Sequence, residues 1–235
     1  MQKAAFITGT SKGIGKATAK LLLENNYHVF GYSRTNSIKH QNFSFTKIDL
    51  SNLSEVKQLI LPKFNNSQII FINNAASLGH IVPLNLKKES DIISEYKLNI
   101  ITPTILTAKF ISTFKDNPKI LLNISSGASK KSVAGWSTYC ASKSALDRLT
   151  ETITEEKHKN LKTFSIHPGV VDTDMQTKIR KSDPAFFPLL KKFTKYHIEN
   201  QLENVEKTAQ KVLYVIQNHS KFNENIIIFR DLNFS

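Results

Sequence analysis

The stretch Phe6-Ile7-Thr8-Gly9-Thr10-Ser11-Lys12-Gly13-Ile14-Gly15 decides how this chain folds. It joins a short apolar run, residues 4–8, to a helical pattern over 14–25 through a turn that carries three glycines. Strand, glycine turn and helix in that order make the first βα unit of a dinucleotide-binding sheet. Glycine permits the tight turn and lets backbone approach a pyrophosphate closely, while free N–H groups at the helix start attract the anion. The spacing is Gly-x-x-x-Gly-x-Gly rather than the commoner Gly-x-Gly-x-x-Gly. Gly9, Ser11, Lys12, Gly13, Ile14 and Gly15 are the candidate phosphate cradle, against the plainer alternative of a βα turn that holds no ligand.

Outward from this unit the alternation continues. Apolar runs at 28–33, 43–47, 68–73, 119–125, 163–167 and 225–229 read as strands. Helical patterns fall at 54–64, with Ser54 as N-cap, and at 90–115, 136–159 and 205–218. Such alternation predicts an α/β fold: a single Rossmann-type doubly wound parallel sheet of about seven strands, with helices on both faces. A length of 235 residues suits one domain spanning 1–235. Residues 172–201 lack a clear pattern and contain Pro184, Pro188 and several aromatics. A long irregular stretch in a compact domain reads as a substrate-binding loop. Phe186, Phe187, Leu189 and Phe193 within it suit an apolar pocket and a core beneath the loop equally well.

Composition narrows the function classes. Apolar residues make up 40% of the chain, as in ordinary globular proteins. No window approaches the roughly 18 uninterrupted apolar residues of a membrane span. The N-terminus runs straight into the first strand, too short for a secretory segment. A single cysteine, Cys140, permits neither an internal disulfide nor a Cys-x-x-Cys metal pair. The expected location is a reducing cytoplasm, and no metal site is expected. The net charge of +13 raises the question of nucleic acid, but the lysines are scattered, with only short pairs such as Lys130-Lys131 and Lys191-Lys192. That pattern reads as a mild pull on anionic cofactors or substrates rather than a nucleic-acid face.

Two further features carry chemistry. The second strand ends at Gly31-Tyr32-Ser33-Arg34, where an NAD-preferring site usually carries an acid for the ribose 2′-hydroxyl. No acid stands there. Arg34 and Lys12 suit a 2′-phosphate instead, so NADP(H) is the expected cofactor. Downstream, Tyr139-Cys140-Ala141-Ser142-Lys143 sets a phenol and an ammonium one helical turn apart on one face. A neighbouring ammonium favours the phenolate and lowers the phenol pKa, which suits a general acid for a carbonyl oxygen. Cys140 must point elsewhere and reads as a small packed apolar group, and His167 as a strand-end polar residue.

Taken in order, these motifs resemble the short-chain dehydrogenase/reductase family over essentially the whole chain. Thr8 to Gly15 looks like its cofactor motif, and Asp49-Leu50 is similar to the pair that touches the adenine ring. Asn73-Asn74-Ala75-Ala76 is similar to the family's Asn-Asn-Ala-Gly segment, which places Asn74 and Ala75 beside the cofactor. The last alanine departs from the pattern and narrows the space there. Asn99 falls where the family has a helix asparagine that holds a proton-relay water. Ser126 precedes Tyr139 by thirteen residues, the family's usual interval. Pro168-Gly169-Val170-Val171-Asp172-Thr173 matches the segment flanking the nicotinamide, which adds Pro168, Gly169, Val171 and Thr173 to the implied cofactor set. More finely, residues 123–127, 135–140 and 172–176 resemble the sepiapterin reductase and benzil reductase branch, whose members reduce diketones or side-chain ketones with NADPH.

The resemblance implies reduction of a ketone or 1,2-dicarbonyl, with a small-molecule carbonyl as the partner. Tyr139 would donate the proton and Ser126 a hydrogen bond to the same oxygen. Lys143 would tune Tyr139 and hold the nicotinamide ribose, with Asn99 linking Lys143 to solvent through water. Family members commonly pair through the helices predicted at 90–115 and 136–159, so a homodimer or tetramer is expected. Asp231 is either a C-terminal substrate anchor or a surface acid. Two other readings share the fold: an NADP(H)-sensing regulator that engages nucleic acid, and an assembly subunit.

Overall fold

In the computed structural model, which describes residues 3–64, 68–232 and 234, the strands are β1 (Lys3–Thr8), β2 (His28–Ser33), β3 (Phe43–Lys47), β4 (Gln68–Asn73), β5 (Lys119–Ile124), β6 (Leu161–His167) and β7 (Ile226–Ile228). All run parallel in one sheet of order β3-β2-β1-β4-β5-β6-β7. The order reverses between β1 and β4, and the crevice beyond the carboxyl ends of those strands is where such sheets bind ligands. The central strands are covered on both faces, which is why they read as unbroken apolar runs rather than as alternation.

Successive side chains of each strand serve opposite layers. Ala5, Ile7, Ile70, Ile72 and Leu122 meet Leu22 of α1 (Gly13–Glu24) and Val212 and Val215 of α8 (Val205–Gln217). Phe6, Phe71 and Leu121 face the other way, toward Leu106 and Phe110 of α4 (Thr102–Thr113) and Ile153 of α5 (Ser137–Glu155). A polar ladder crosses this second layer. Asn73 Nδ2 donates to Thr107 Oγ1 at 3.0 Å and to Asn123 Oδ1 at 2.8 Å, and Asn123 Nδ2 donates to Thr150 Oγ1 at 2.8 Å. It ties α4 and α5 to the sheet directly beneath the crevice.

Three expectations are corrected. The helix expected over 54–64 is α2 (Leu53–Gln58), capped by Asn52, whose side chain accepts the Ser54 N–H at 3.1 Å. Pro62 holds Leu61 away from helical torsions and offers no N–H, so the helix cannot continue. Lys109 Nζ takes up the freed carbonyls of Lys57 and Leu59, at 2.6 and 2.7 Å. The single helix expected over 90–115 is α3 (Glu89–Tyr96), a π-turn at Lys97–Ile101, and α4. Pro103 has no N–H to return to the Asn99 carbonyl, and the widened turn absorbs that break.

Residues 172–201, expected as irregular, contain α6 (Asp174–Arg180) and α7 (Leu190–Ile198), with Pro184 and Pro188 between them. Each helix is only about two turns long, too short for a clear apolar period. Among the described residues no helix is long and apolar enough to cross a membrane.

Candidate active site

The cradle is a rigid backbone turn. Gly9 and Gly13 hold φ of +76° and +58°, the left-handed region that favours glycine. A Cβ on Gly15 would collide with Asn74 Nδ2 and the Gly9 carbonyl. Asn74 braces the turn: its Nδ2 donates to the carbonyls of Thr8 at 2.9 Å and Gly9 at 3.2 Å. Thr8 Oγ1 in turn accepts the N–H groups of Asn74 and Ala75, at 2.9 and 3.0 Å. Lys12, the residue before α1, makes no side-chain hydrogen bond to the helix start, and the first turn has no acid. Its N–H groups are thus left for an anion, and the residues fit a pyrophosphate.

Lys12 Nζ reaches across to Asp174 Oδ2, 2.7 Å away at the start of α6. Both ends are exposed, so the pair is worth about 0–1 kcal/mol and would yield readily to a phosphate. Arg34 lies exposed just past β2. Beside it, the Ser51 hydroxyl and N–H hold the Asp49 carboxyl below its ordinary range against the opposing effect of burial, with a smaller contribution from Arg34. Leu50 is buried in the core and its carbonyl accepts Thr102 Oγ1 at 2.7 Å, so its side chain belongs to the core rather than to the cleft. Gly169 has φ +85°, Val171 is buried and bridged to Glu203, and Thr173 Cγ2 stands 3.4 Å from the place a Gly13 Cβ would take. The segment 168–173 therefore runs up against the cradle at Thr173.

Ser126, Tyr139 and Lys143 converge at the end of β5. Ser126 Oγ accepts the Ala128 N–H at 3.2 Å and caps the short turn Gly127–Ser129, while its own hydrogen is directed to the Tyr139 hydroxyl. Lys143 Nζ donates to the Ile124 carbonyl at 2.7 Å and stands 5.7 Å from the centre of the Tyr139 ring. Burial pushes the Tyr139 phenol up to about 12, and a hydrogen bond with Ser126 offsets only part of that. Burial also brings the Lys143 ammonium down to about 8, against the attraction of Asp147. The expected lowering of the phenol is thus corrected: burial raises it, and the one opposing contribution comes from Ser126 rather than from Lys143. Tyr139 consequently keeps its proton at neutral pH, the form a donor needs.

Asn99 sits buried in the π-turn. Its Oδ1 accepts the Ser77 N–H at 2.9 Å, and its Nδ2 donates to the Ser77 carbonyl at 2.8 Å and to Ser142 Oγ at 3.4 Å. Its side chain is committed to the 77–81 loop and to the residue next to Lys143.

An aromatic wall stands over Tyr139. Trp136 meets the Tyr139 ring edge-on at 5.8 Å and 83°, and stacks on Phe187 at 5.4 Å and 10°. Leu78, Ile81, Ala128 and Ile179 complete this buried cluster, with Met175, Leu190 and Phe193 packed against it. Phe187 is fully buried, Phe186 and Phe193 are half-buried, and Leu189 is exposed, so the segment supplies core through Phe187 and Phe193. Trp136 Nε1 and Gln176 Oε1 are buried without a hydrogen-bond partner among the described residues. Trp136, which falls within the 135–140 stretch of the branch resemblance, stands just before α5 and packs on Tyr139 three residues later.

Comparison with known proteins agrees with this geometry. The short chain dehydrogenase family model matches residues 3–184. The chain belongs to that family. A benzil reductase ((S)-benzoin forming) of Bacillus subtilis is 34% identical over 227 residues, covering 90% of this chain and 92% of the relative. The sepiapterin reductase of Rattus norvegicus is 29% identical over 239 residues, covering 90% of each. A short-chain dehydrogenase/reductase crystal structure from Saccharomyces cerevisiae superposes with a TM-score of 0.77 at 25% identity, covering 87% of this chain and 86% of that one.

In this short-chain dehydrogenase/reductase a buried ion pair fixes the remaining wall. Lys87 Nζ donates to both oxygens of Glu95 at 2.8 Å, with both side chains buried. Glu95 also accepts the His80 N–H at 3.2 Å and the hydroxyl of Thr138, the residue before Tyr139. Gly79, at φ +68°, leaves the room that the carboxylate occupies. Cys140 is half-buried and packs against the Trp136 cluster, as a small apolar group would. Asp231 is exposed, in the turn after β7.

Proposed function

We propose that this oxidoreductase reduces a ketone or 1,2-dicarbonyl to the hydroxy compound with NADPH. The convergence of Ser126, Tyr139 and Lys143 under an aromatic wall carries the reading. When bound, NADPH supplies the hydride. Tyr139 gives its proton to the carbonyl oxygen as charge builds there, a contribution of roughly 10²–10⁴-fold. Ser126 donates a second hydrogen bond to that oxygen and is already oriented by its cap. Lys143 holds the ribose and stabilises the phenolate left behind. Asn99 keeps the 77–81 loop in place beside them. Gly9 to Gly15 seat the pyrophosphate, and Pro168, Gly169, Val171 and Thr173 flank the nicotinamide.

The substrate class follows from the wall. Trp136, with the buried Phe187 stacked against it, suits a flat, apolar group beside the reacting carbonyl. The orphan Trp136 Nε1 offers a donor for a second oxygen, as a 1,2-dicarbonyl presents. The benzil and sepiapterin reductase relatives support the same class. Loss of NADPH absorbance on mixing with benzil and a panel of aliphatic and aryl diketones is the test. No turnover on any diketone or ketone, with either cofactor, would sink it.

Cofactor choice rests on Arg34 and Lys12. Arg34→Asp should raise the KM for NADPH on the order of ten- to a hundred-fold, the worth of lost charge-assisted hydrogen bonds. NADH should gain relative to it, and an unchanged NADPH/NADH ratio would refute the assignment. The exposed Leu84, Leu86, Ile93 and Ile101, in and beside α3, support pairing through the 90–115 segment, which sedimentation would detect as a dimer or tetramer.

A further inference from the structure

Asp147 lies one turn beyond Lys143 on α5 and is only 5% exposed. A lone carboxylate would be costly there, and four neighbours account for it. Ser165 Oγ donates to Oδ1 at 2.5 Å, and His167 Nε2 lies 2.9 Å from Oδ2. Ser125 and Ser129 add hydrogen bonds. Burial opposes the charge, but the bonds from His167 and the three serines outweigh it and hold the carboxyl at about 2. Serine, histidine and aspartate together invite a hydrolase reading, and the geometry rejects it. Ser129 Oγ, at 3.2 Å, and Asp147 both meet the same imidazole nitrogen, Nε2, whereas a relay needs one partner on each nitrogen.

The origin of the four donors is what matters. Ser125 directly precedes Ser126, and Ser129 closes the turn that Ser126 caps. Ser165 and His167 end β6, immediately before Pro168-Gly169. Asp147 itself rides on the helix that carries Tyr139 and Lys143.

We propose that Asp147 is the positioning residue of this site: its carboxylate locks the Ser126 strand end, the Tyr139–Lys143 helix face and the Pro168-Gly169 turn in one arrangement, and supports the charge on Lys143. The inference rests on the roles proposed above for Ser126, Tyr139 and Lys143. The titratable groups shown to bear on Lys143 are Tyr139 and Asp147 on α5, and His167 from β6 bears on it through Asp147. β5 presents the Ile124 carbonyl and Ser125, and the π-turn presents Asn99 through Ser142.

NADPH binding measured against pH tests this, read by the fluorescence of Trp136, the chain's single tryptophan. Wild-type affinity should fall as pH rises through about 8, where Lys143 gives up its proton. Removing the nearby negative charge disfavours the ammonium, so Asp147→Asn should move that limb to lower pH by about one unit. Affinity at neutral pH should weaken several-fold. A purely structural role would lower the melting temperature and leave the limb in place. An unmoved limb in folded Asp147→Asn overturns the proposal and leaves the reductase reading standing. A wild type that binds neither NADPH nor NADH overturns both. If Asp147→Asn does not fold, Ser165→Ala decides, since it keeps the charge but releases the carboxylate from β6. A several-fold loss of NADPH affinity then supports the proposal, and an unchanged affinity overturns it.

Discussion

Tyr139→Phe should lower kcat for diketone reduction by about 10²–10⁴ while NADPH still binds. The substitution removes one hydroxyl and keeps the ring that packs edge-on against Trp136. The wall and the cradle should therefore survive it, and the loss reports the proton alone. Burial holds the phenol up at about 12, so wild-type Tyr139 is protonated across the neutral range. A variant with reduced affinity for NADPH would instead indicate a structural role for the hydroxyl. Steady-state kinetics combined with a binding titration separate the two, and undiminished turnover would place the proton donor elsewhere.

Glu95→Ala should destabilise the fold by about 3–5 kcal/mol, because it strands the Lys87 ammonium in a buried site. The same change releases the His80 N–H and the Thr138 hydroxyl, so the loop beside the pocket and the start of α5 should loosen together. Replacing both partners, with Lys87→Met and Glu95→Leu, should cost far less, since no charge is left unpaired. Urea denaturation of the single and double variants checks the contrast. A loss below about 1 kcal/mol in Glu95→Ala would mean that this ion pair does not hold the loop.

The parts of this protein legible in the sequence are those set over short distances. The strands were readable because most are runs of apolar residues bounded by turn signals, with β3 showing an apolar-polar alternation instead. The cradle was readable because three glycines lie between a strand and a helix, and the Tyr139–Lys143 face because four residues make one turn. Where local signals were weak or overlooked, the reading slipped. Pro62 ends α2 early, Pro103 opens the π-turn around Asn99, and α6 and α7 are too short to display a period.

The electrostatics of the site were not legible at all. Lys12 and Asp174 meet across 162 residues, Glu95 and Thr138 across 43, and Asp147 and His167 across 20. No spacing rule connects such pairs, since only the packing of sheet and helices brings them together. Burial is likewise a property of the assembled layers, and it raises the Tyr139 phenol where proximity to Lys143 alone predicts a lowering. The sequence by itself determined the family, the sheet and which side chains share a helical face. Tertiary structure alone decided how far water is excluded from Tyr139 and which distant donors hold Asp147, because solvation and long-range contacts exist only once the layers close.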